Sequence, residues 1–361
     1  MDERPPLTAL LDSMLREHDL PALAGAVVTS DHVAAAAVGS RRLGGPANVT
    51  DGDRFHLGSN GKAMTALLVG GLVVDGWLAW DAPLPALFPE TAARMHAAWH
   101  GATLRDLLTH TSGLAENPDP AAWATAASDT PRAQRAAVVA WALGRPPAGP
   151  RGAYAYSNLG YLVAGAAAER AAGGEYEALL VAQVLAPLGV TTAGFGAAGA
   201  AGRDDQPLGH RTALLVRRTA VEPGPEADNP PVFSPAGRVH MSVGDYARFV
   251  QAALRGLRGR ADGVDAATLR ALVGMSAAAD GAEARYTAAG WLATERAWAG
   301  GRAYTHAGSN TLHFAVAWVA PERDVAVMVL LNQGGRLAPA VADQVVGRLL
   351  AWQAAAGRSA P

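Results

Sequence analysis

The chain has 361 residues, of which 50% are apolar and 17% are charged, a composition that excludes a disordered chain and is typical of a folded globular protein. Its 30 basic and 32 acidic side chains give a formal net charge of −2, so the overall charge indicates neither nucleic acid nor an anionic membrane surface as a partner. The absence of cysteine excludes disulfides, thiolate metal sites and cysteine nucleophiles.

The N-terminus, residues 1–6, has neither the basic region nor the apolar region of a signal peptide. As it begins, the sequence predicts a cytoplasmic protein, and export is the alternative if a leader has been removed. Apolar periodicity then predicts a helix over 7–18 and two strands, 22–29 and 33–38, joined by a tight turn at 31–32.

An apolar helix is predicted from residue 63 to about 75, and its apolar run is too short to cross a bilayer, so no membrane span is expected. Short helical periods dominate the chain from 81 to about 188. They predict helices over 104–110, 131–144, 158–172 and 176–188. Residues 193–237 are rich in Gly, Pro and Asp with little periodicity, which predicts a long loop.

Strand patterns return near the C-terminus. They predict strands over 290–293, 302–306, 311–320 and 325–331, and an amphipathic helix over 339–355. The plan is a sheet built from both ends of the chain, interrupted by a mainly helical insertion. We therefore expect residues 1–80 and 232–361 to form an α/β sheet domain, and residues 81–231, with the loop 193–231, to form a mainly helical domain.

Lys62 is the single lysine of the chain, since every other basic residue is an arginine. A guanidinium stays charged at any accessible pH, whereas a buried ammonium can lose its proton. Ser59 lies three positions earlier, and residues i and i+3 share one face of a helix. A serine hydroxyl needs a base to become a nucleophile, and a helix N-terminus favours negative charge on a substrate oxygen. Lys62 is therefore interpreted as that base, or as a group that lowers the pKa of another base; the alternative is that one lysine survived by chance.

A second group of polar residues, 154–158, precedes the predicted helix 158–172. One interpretation is a helix cap, with Ser157 or Asn158 bonding free N–H groups while the tyrosines pack. The other places Tyr156 beside Ser59 as a base and lets Asn158 donate a hydrogen bond to the substrate.

A third group, residues 304–310, lies at the end of a predicted strand. His306 can hydrogen-bond the nucleophile side of the site, or meet a substrate carboxylate when protonated. Gly308 lets the backbone pass close to a bound acyl group, and the N–H of Ser309 can join that of Ser59 as a second oxyanion donor. A single histidine on a strand is more often structural.

The order of these three groups, with residues 107–114 between the first two, resembles the penicillin-recognising serine hydrolases. Within them it is most similar to the branch of class C β-lactamases, D-Ala-D-Ala carboxypeptidases and esterases. The patterns S-x-x-K, Y-x-N and K/H-x-G are met in that order by Ser59/Lys62, Tyr156/Asn158 and His306/Gly308. Residues 234–246 are also similar to this family, and the resemblance extends from about residue 8 to 355.

The resemblance implies an α/β (α+β) fold of the β-lactamase/transpeptidase type. Such a fold has a central antiparallel sheet flanked by helices and a mainly helical domain, with the active site in the cleft between them. It implies that Ser59 attacks a carbonyl and forms an acyl-enzyme, and that Lys62 and Tyr156 share the proton transfers. The N–H groups of Ser59 and Ser309 would stabilise the oxyanion, and Asn158 would orient the substrate. We expect a small-molecule or short-peptide substrate and no metal or other cofactor; the oligomeric state is not predicted.

One position departs from the β-lactamase pattern. Efficient class C β-lactamases have lysine where this chain has His306, which is largely neutral near pH 7. The H-x-G form resembles certain D-Ala-D-Ala carboxypeptidases and D-amino-acid peptidases. We therefore expect weak β-lactam turnover, with a D-amino-acid amide, a small peptide or an ester as the substrate. The alternative is a non-catalytic relative that binds a peptide or cell-wall fragment in the same cleft.

Other candidate sites are weaker. His96 and His100 have the spacing of two helical metal ligands but lack the acidic partner of an H-E-x-x-H motif, so no metal site is predicted. The glycines between 196 and 202 neither follow a clear strand nor open a helix, which argues against a phosphate loop. The sequence has no G-x-S-x-G nucleophile elbow.

Overall fold

A computed structural model describes residues 5–124, 130–213, 217–260, 262, 264–279 and 284–356. Its α-helices are α1 (Leu7–Glu17), α2 (Gly61–Val74), α3 (Leu84–Leu87), α4 (Pro89–Ala92), α5 (Leu104–Leu108), α6 (Ala121–Ala124), α7 (Pro131–Leu143), α8 (Asn158–Ala172), α9 (Tyr176–Leu180), α10 (Ser234–Gly237), α11 (Val243–Leu257), α12 (Ala266–Gly274) and α13 (Ala338–Ala356). Its strands are β1 (Ala22–Val28), β2 (Val33–Gly39), β3 (Arg54–His56), β4 (Gly194–Phe195), β5 (Gly209–Ala213), β6 (Arg217–Val221), β7 (Val239–Ser242), β8 (Ser276–Ala278), β9 (Arg285–Thr287), β10 (Leu292–Arg296), β11 (Gly301–Ser309), β12 (Phe314–Ala320) and β13 (Val325–Leu331).

The main sheet has eight strands in the order β2-β1-β13-β12-β11-β10-β9-β8, and each neighbouring pair is antiparallel. Pairing of β1 with β13 joins the two ends of the chain, with Leu23 opposite Leu331. Both strands are buried along their whole length, which explains why they read as continuous apolar runs. The predicted central antiparallel sheet, built from both chain ends, is confirmed.

Helices cover the two faces of this sheet. α1 and α13 pack on one face, where Leu11, Val327 and Leu349 belong to one buried cluster. On the other face α11 packs against β1 and β13, and α2 and α8 extend that core outward. α2 is buried almost all the way round, as expected of a helix that is apolar on every side. It is the helix that follows Ser59.

The middle of the chain is mainly helical, and α5, α7 and α8 lie within the segments predicted as helices. The predicted helix 176–188 is α9 followed by a π-helical turn, Val181–Leu185, and a 3₁₀ turn, Ala186–Leu188. In this region α7 and α8 pack together, and α8 packs on α2. The boundaries of the two domains stay a prediction.

The segment 193–237, predicted as a loop, contains ordered strands. β4 pairs with β7 in a small sheet with β3, and β5 pairs with β6 as a hairpin. β5 and β6 carry Arg, Thr and His rather than alternating apolar residues. The two-residue apolar pattern that predicts a strand is therefore weak in this segment. The described residues do not include 214–216. They also do not include residues 1–4, on which the expectation about a leader partly depends.

The start of β12, after the hairpin from β11, also differs from the sequence prediction. The strand predicted from residue 311 begins at Phe314, because Thr311 adopts a left-handed conformation with φ +72°. Ser309 Oγ accepts a hydrogen bond from Thr311 N (2.9 Å) and fixes this turn.

Among the described residues, no helix combines the length and the apolar character needed to cross a bilayer.

Candidate active site

Ser59 lies on a 3₁₀ turn, Gly58–Asn60, that follows β3 and leads directly into α2, so it lies at the helix N-terminus, as expected from the sequence. The turn begins at Gly58, whose φ of +53° is left-handed and favours glycine. A Cβ atom at this position would lie 2.3 Å from Ser309 N, so no other side chain fits. The turn leaves the side chain of Ser59 half-buried at its surface.

Lys62 is fully buried in the first turn of α2. Its Nζ lies 3.0 Å from Ser59 Oγ, 2.7 Å from Asn158 Oδ1 and 2.6 Å from the carbonyl oxygen of Ala236. Burial lowers the pKa of Lys62 well below the usual value, and the negative charge of Glu116 opposes that shift only in part. The amine is therefore held against the nucleophile in surroundings that favour its neutral form.

Tyr156 lies close to Lys62 and Ser59. Its ring lies beside the amine, with the ring centroid 4.9 Å from Lys62 Nζ. Burial raises the pKa of Tyr156 well above that of a free phenol, although the nearby Ser59 side chain acts in the opposite direction. The structure thus brings the predicted hydroxyl, amine and phenol together.

Residues 154–158 provide the predicted helix cap and also contact the site, while the roles expected of Tyr156 and Asn158 toward a substrate stay predictions. Ser157 caps α8, because its Oγ accepts a hydrogen bond from Gly160 N (2.9 Å). Asn158, the first residue of α8, faces the site with its Oδ1 on Lys62, while its Nδ2 donates to Asn117 Oδ1 (2.9 Å). Capping and site contacts therefore come from adjacent side chains.

His306 reaches the site from β11. Its Nδ1 lies 2.6 Å from the carbonyl oxygen of Ala307, and its Nε2 lies 3.2 Å from Tyr286 Oη. A carbonyl only accepts, so Nδ1 carries the proton and Nε2 accepts from the phenol. Burial is the largest of the causes that lower the pKa of His306, to about 3. The imidazole is therefore uncharged at neutral pH, which disfavours its expected role toward a substrate carboxylate.

Gly308 lies where β11 touches the nucleophile turn. A Cβ atom there would lie 2.3 Å from the carbonyl oxygen of Leu57 and 2.4 Å from Ser59 N. The N atoms of Ser59 and Ser309 therefore lie at the same junction of the two backbones. The side chain of Ser309 is occupied in the hairpin, where its Oγ donates to the carbonyl of His313 (2.6 Å).

His110 was assigned no role from the sequence, although it lies in the segment 107–114 that carries part of the resemblance. It has a left-handed backbone (φ +59°) and is buried, and its Nδ1 accepts a hydrogen bond from Ser157 N (3.0 Å). Its ring centroid lies 4.4 Å from that of Tyr156 and 4.3 Å from that of Tyr286. Burial lowers the pKa of His110 well below that of a free imidazole. A neutral ring thus holds the segment that carries Tyr156.

Asp228 is the second residue that the sequence did not reveal, because it lies in an aperiodic segment. Its buried Oδ1 lies 3.0 Å from His56 Nε2 and accepts a hydrogen bond from Asn310 Nδ2 (3.2 Å), and its Oδ2 lies 3.4 Å from Arg238 Nε. Burial acts to raise the pKa of Asp228, but His56 and Arg238 outweigh it and the pKa is lowered. One carboxylate thus joins the three segments that carry Ser59, Ala236 and Ser309.

One group of acidic side chains has the spacing of metal ligands. Within the described ranges, the three-residue group with suitable spacing is Glu169, Glu175 and Glu177, outside the contacts made by Ser59. Arg135 already pairs with two of these carboxylates, at 2.6 Å from Glu169 and 2.9 Å from Glu177. This cluster is therefore an internal ion pair of the helical region.

The chain is similar to one known protein family and to one curated hydrolase. The model of the family Beta-lactamase matches residues 7–351. The chain is 26% identical over 249 residues to the unguisins hydrolase of Aspergillus violaceofuscus; the match covers 64% of this chain and 42% of that protein. The chain therefore spans less than half the length of this curated relative.

Solved structures share the fold. The crystal structure of SurE with D-Leu matches with a TM-score of 0.71 at 24% identity, over 96% of this chain and 74% of that one. The octameric penicillin-binding protein homologue from Pyrococcus abyssi matches with a TM-score of 0.72 at 21% identity, over 95% and 76% of the two chains. At these identities the likeness shows the fold, and the predicted fold class is confirmed.

Proposed function

The chain belongs to the beta-lactamase family, and from that premise we propose that it is a serine hydrolase that cleaves amide or ester bonds through an acyl-enzyme on Ser59. The observation that carries the proposal is the 3.0 Å contact of the buried Lys62 Nζ with Ser59 Oγ, with the Tyr156 ring centroid 4.9 Å from the same amine. A nucleophile in contact with one group able to move a proton, and close to a second, is the arrangement that acyl transfer needs.

Lys62 acts as the base that activates Ser59. Two of its three oxygen neighbours, Asn158 Oδ1 and the Ala236 carbonyl, can only accept hydrogen bonds. A neutral amine has two N–H donors, which these acceptors engage, and the remaining lone pair then faces the Ser59 hydroxyl. The lowered pKa of Lys62 supports this neutral form.

Tyr156 acts as the proton donor to the leaving group, because its raised pKa keeps the phenol protonated. In acylation the Ser59 proton passes to Lys62, the oxygen attacks the carbonyl carbon, and the bond to the leaving nitrogen or oxygen breaks as Tyr156 protonates it. The phenol regains a proton from the ammonium of Lys62. Deacylation repeats these transfers with water as the nucleophile, and Ser59 recovers its proton.

The backbone supplies the charge stabilisation. The N–H groups of Ser59 and Ser309, brought together by the contact of Gly58 with Gly308, point to an oxyanion hole at the backbone junction. Asn158 holds Lys62 through its Oδ1, and its Nδ2 can exchange the exposed Asn117 for a substrate carbonyl.

The proposed substrates are D-amino-acid amides, short peptides or small esters, with weak turnover of β-lactams. The neutral His306 supports this choice, since a carboxylated β-lactam would meet no fixed positive charge from that side chain. A curated relative is named as a hydrolase of unguisins, and one structure of similar fold contains D-Leu, which is consistent with such substrates.

The test is covalent labelling of Ser59. The protein is incubated with a fluorophosphonate probe, and in parallel with a panel of D-amino-acid amides, p-nitrophenyl esters and a chromogenic cephalosporin. We expect one phosphonyl adduct per chain, located on Ser59 by peptide mass spectrometry, together with ester or amide turnover. Both should be lost in Ser59→Ala. A wild-type protein that is neither labelled nor active on the panel would favour a non-catalytic binding protein instead.

A further inference from the structure

A pocket of about 350 Å³ opens beside the proposed catalytic groups, with Tyr156 and His306 in its wall. It follows the edge of β11. The register of β10 on β11 ends at the pair Leu292–Thr305, and the next residues of β11 pair with β12 alone within the described sheet. The pocket passes over this free edge and reaches Pro339 and Asp343 of α13. It therefore connects the reacting groups with the opposite face of the sheet.

The wall of this pocket is mostly apolar. Phe314, Val316 and Trp318 of β12 form one side, because they alternate on the face of the sheet that α13 covers. Of the described residues that line the pocket, Asp343 carries a fixed formal charge, and its carboxylate is exposed. Pro339, which lines the same end, has no N–H to offer an anion.

The position of Tyr156 identifies which part of a substrate enters. In the proposed function this phenol protonates the leaving atom, so the leaving group lies next to it, at the mouth of the pocket. We propose that the pocket binds the leaving group of the substrate, and that it selects an apolar alcohol or amine that has no carboxylate and that carries a positive charge at its far end, facing Asp343. This inference rests on the proposed hydrolase function.

A nearby cation does not cancel this selection. Arg296 lies over the ring of Trp318, with its guanidinium carbon 5.4 Å from the ring centroid. Its Nη1 donates to Thr294 Oγ1 (3.2 Å) and to the carbonyl of Glu295 (3.1 Å), and it is not part of the pocket wall. The uncharged His306 at the other end leaves a carboxylate without a charged partner there.

The experiment uses three esters with the same acyl group and different benzyl alcohols. The para substituent of the alcohol is methyl, trimethylammoniomethyl or carboxylate. We expect kcat/KM to be about tenfold higher for the cationic than for the anionic ester at low salt, with a smaller ratio in 0.5 M NaCl, as for a partly exposed charge pair. The neutral ester should fall between them.

Variants of Asp343 assign the effect to this carboxylate. Asp343→Asn should reduce the cationic-to-anionic ratio about three- to tenfold, and Asp343→Lys should invert it. Glu17→Gln, which removes an exposed negative charge from α1 outside the pocket wall, is the matched control and should leave the ratio unchanged. An anionic ester cleaved as well as the cationic one, or a ratio insensitive to Asp343→Lys, would overturn the inference while the hydrolase function stands.

A binding measurement separates the two proposals. In Ser59→Ala the three free alcohols are titrated by ligand-observed NMR, which needs no catalysis. Weaker binding of the carboxylate alcohol, relieved by Asp343→Lys, supports the charge selection of the pocket even if no ester is cleaved. In that case the hydrolase function fails, and with it the assignment of the pocket to a leaving group, while the selection by Asp343 stands. Equal binding of all three alcohols contradicts the selection directly.

Discussion

At the scale of single residues, position 62 combines two requirements that oppose each other. A buried amine must be able to lose its proton, and its N–H groups must still be satisfied. The acceptors Asn158 Oδ1 and Ala236 O meet the second requirement without supplying a negative charge, so they do not hold the ammonium form as a carboxylate would. Arginine meets the second requirement but not the first, because its guanidinium keeps its proton.

Lys62→Arg therefore tests proton transfer separately from positive charge. We expect the folded variant to be labelled by the fluorophosphonate about 10²- to 10⁴-fold more slowly, the range that a positioned base contributes. Circular dichroism and thermal unfolding check that it folds. Lys62→Met removes both the base and the donors and should be at least as slow. Labelling of Lys62→Arg at near the wild-type rate would refute Lys62 as the base.

The pH dependence of labelling follows from the lowered pKa of Lys62. The protonated amine is inactive, so labelling should rise as pH increases through the pKa of Lys62, which burial places well below that of a free lysine. The pKa of His306 is lowered to about 3, so this imidazole stays neutral across that rise. His306→Gln should keep the rise at the same pH, as measured with a pH-stable probe. Its disappearance in this variant would assign the titration to the histidine instead.

At the scale of elements, the site depends on how closely β11 approaches the turn before α2. Gly308→Ala would place a Cβ atom against Leu57 O and Ser59 N, and these backbone atoms cannot turn away as a side chain does. We expect a loss of about 1–3 kcal/mol in the free energy of unfolding, typical of overpacking, with much slower labelling. Gly71→Ala in α2 meets no atom within 4 Å and should instead stabilise the protein by about 0.5–1 kcal/mol. Urea unfolding measures both, and an unaffected Gly308→Ala would contradict the close contact.

Asp228 tests whether the segment before β7 positions the site. Asp228→Ala leaves His56 and Arg238 buried without their anionic partner, and loss of one member of a buried ion pair costs about 3–5 kcal/mol. We expect kcat to fall more than KM rises, because the residue fixes the backbone that carries the reacting groups rather than contacting substrate. Asp228→Asn keeps the shape and should recover part of kcat. Asp75→Asn, at the exposed end of α2, is the control; a change in KM alone would assign Asp228 to binding.

At the scale of the whole molecule, the features that the sequence predicted are those whose pattern lies within one segment of the chain. β1, β13 and α13 were predicted because each buries a regular set of apolar side chains, and that regularity is local. The convergence of Ser59 and Lys62 was also predictable, since three positions on a helical turn place two side chains together.

The unpredicted features depend on contacts between distant segments. Asp228 gains its role from His56 and Asn310, and neither partner is visible in the surrounding loop sequence. The hairpin of β5 and β6 has the same explanation, because its strands lack an alternating apolar face. The wall of the pocket likewise exists only once α13 has packed across β12.

The two faces of the main sheet should contribute separately to stability and to catalysis. Alternate residues of β13 face two different apolar clusters, with Val327 on the α13 side and Met328 on the α2 side. Leu349→Ala opens a cavity in the α13 cluster and should lower the free energy of unfolding by about 2–5 kcal/mol. Val74→Ala, at an exposed position, should cost less than about 0.5 kcal/mol.

Labelling of Ser59 in these two variants tests that separation. The contacts of Lys62 with Ser59 and Asn158 involve no residue of the α13 cluster, so folded Leu349→Ala should be labelled at the wild-type rate at a temperature well below its unfolding transition. A slower rate under those conditions would mean that packing on the far face also sets the position of the nucleophile. The sheet would then transmit strain from one cluster to the other instead of isolating them.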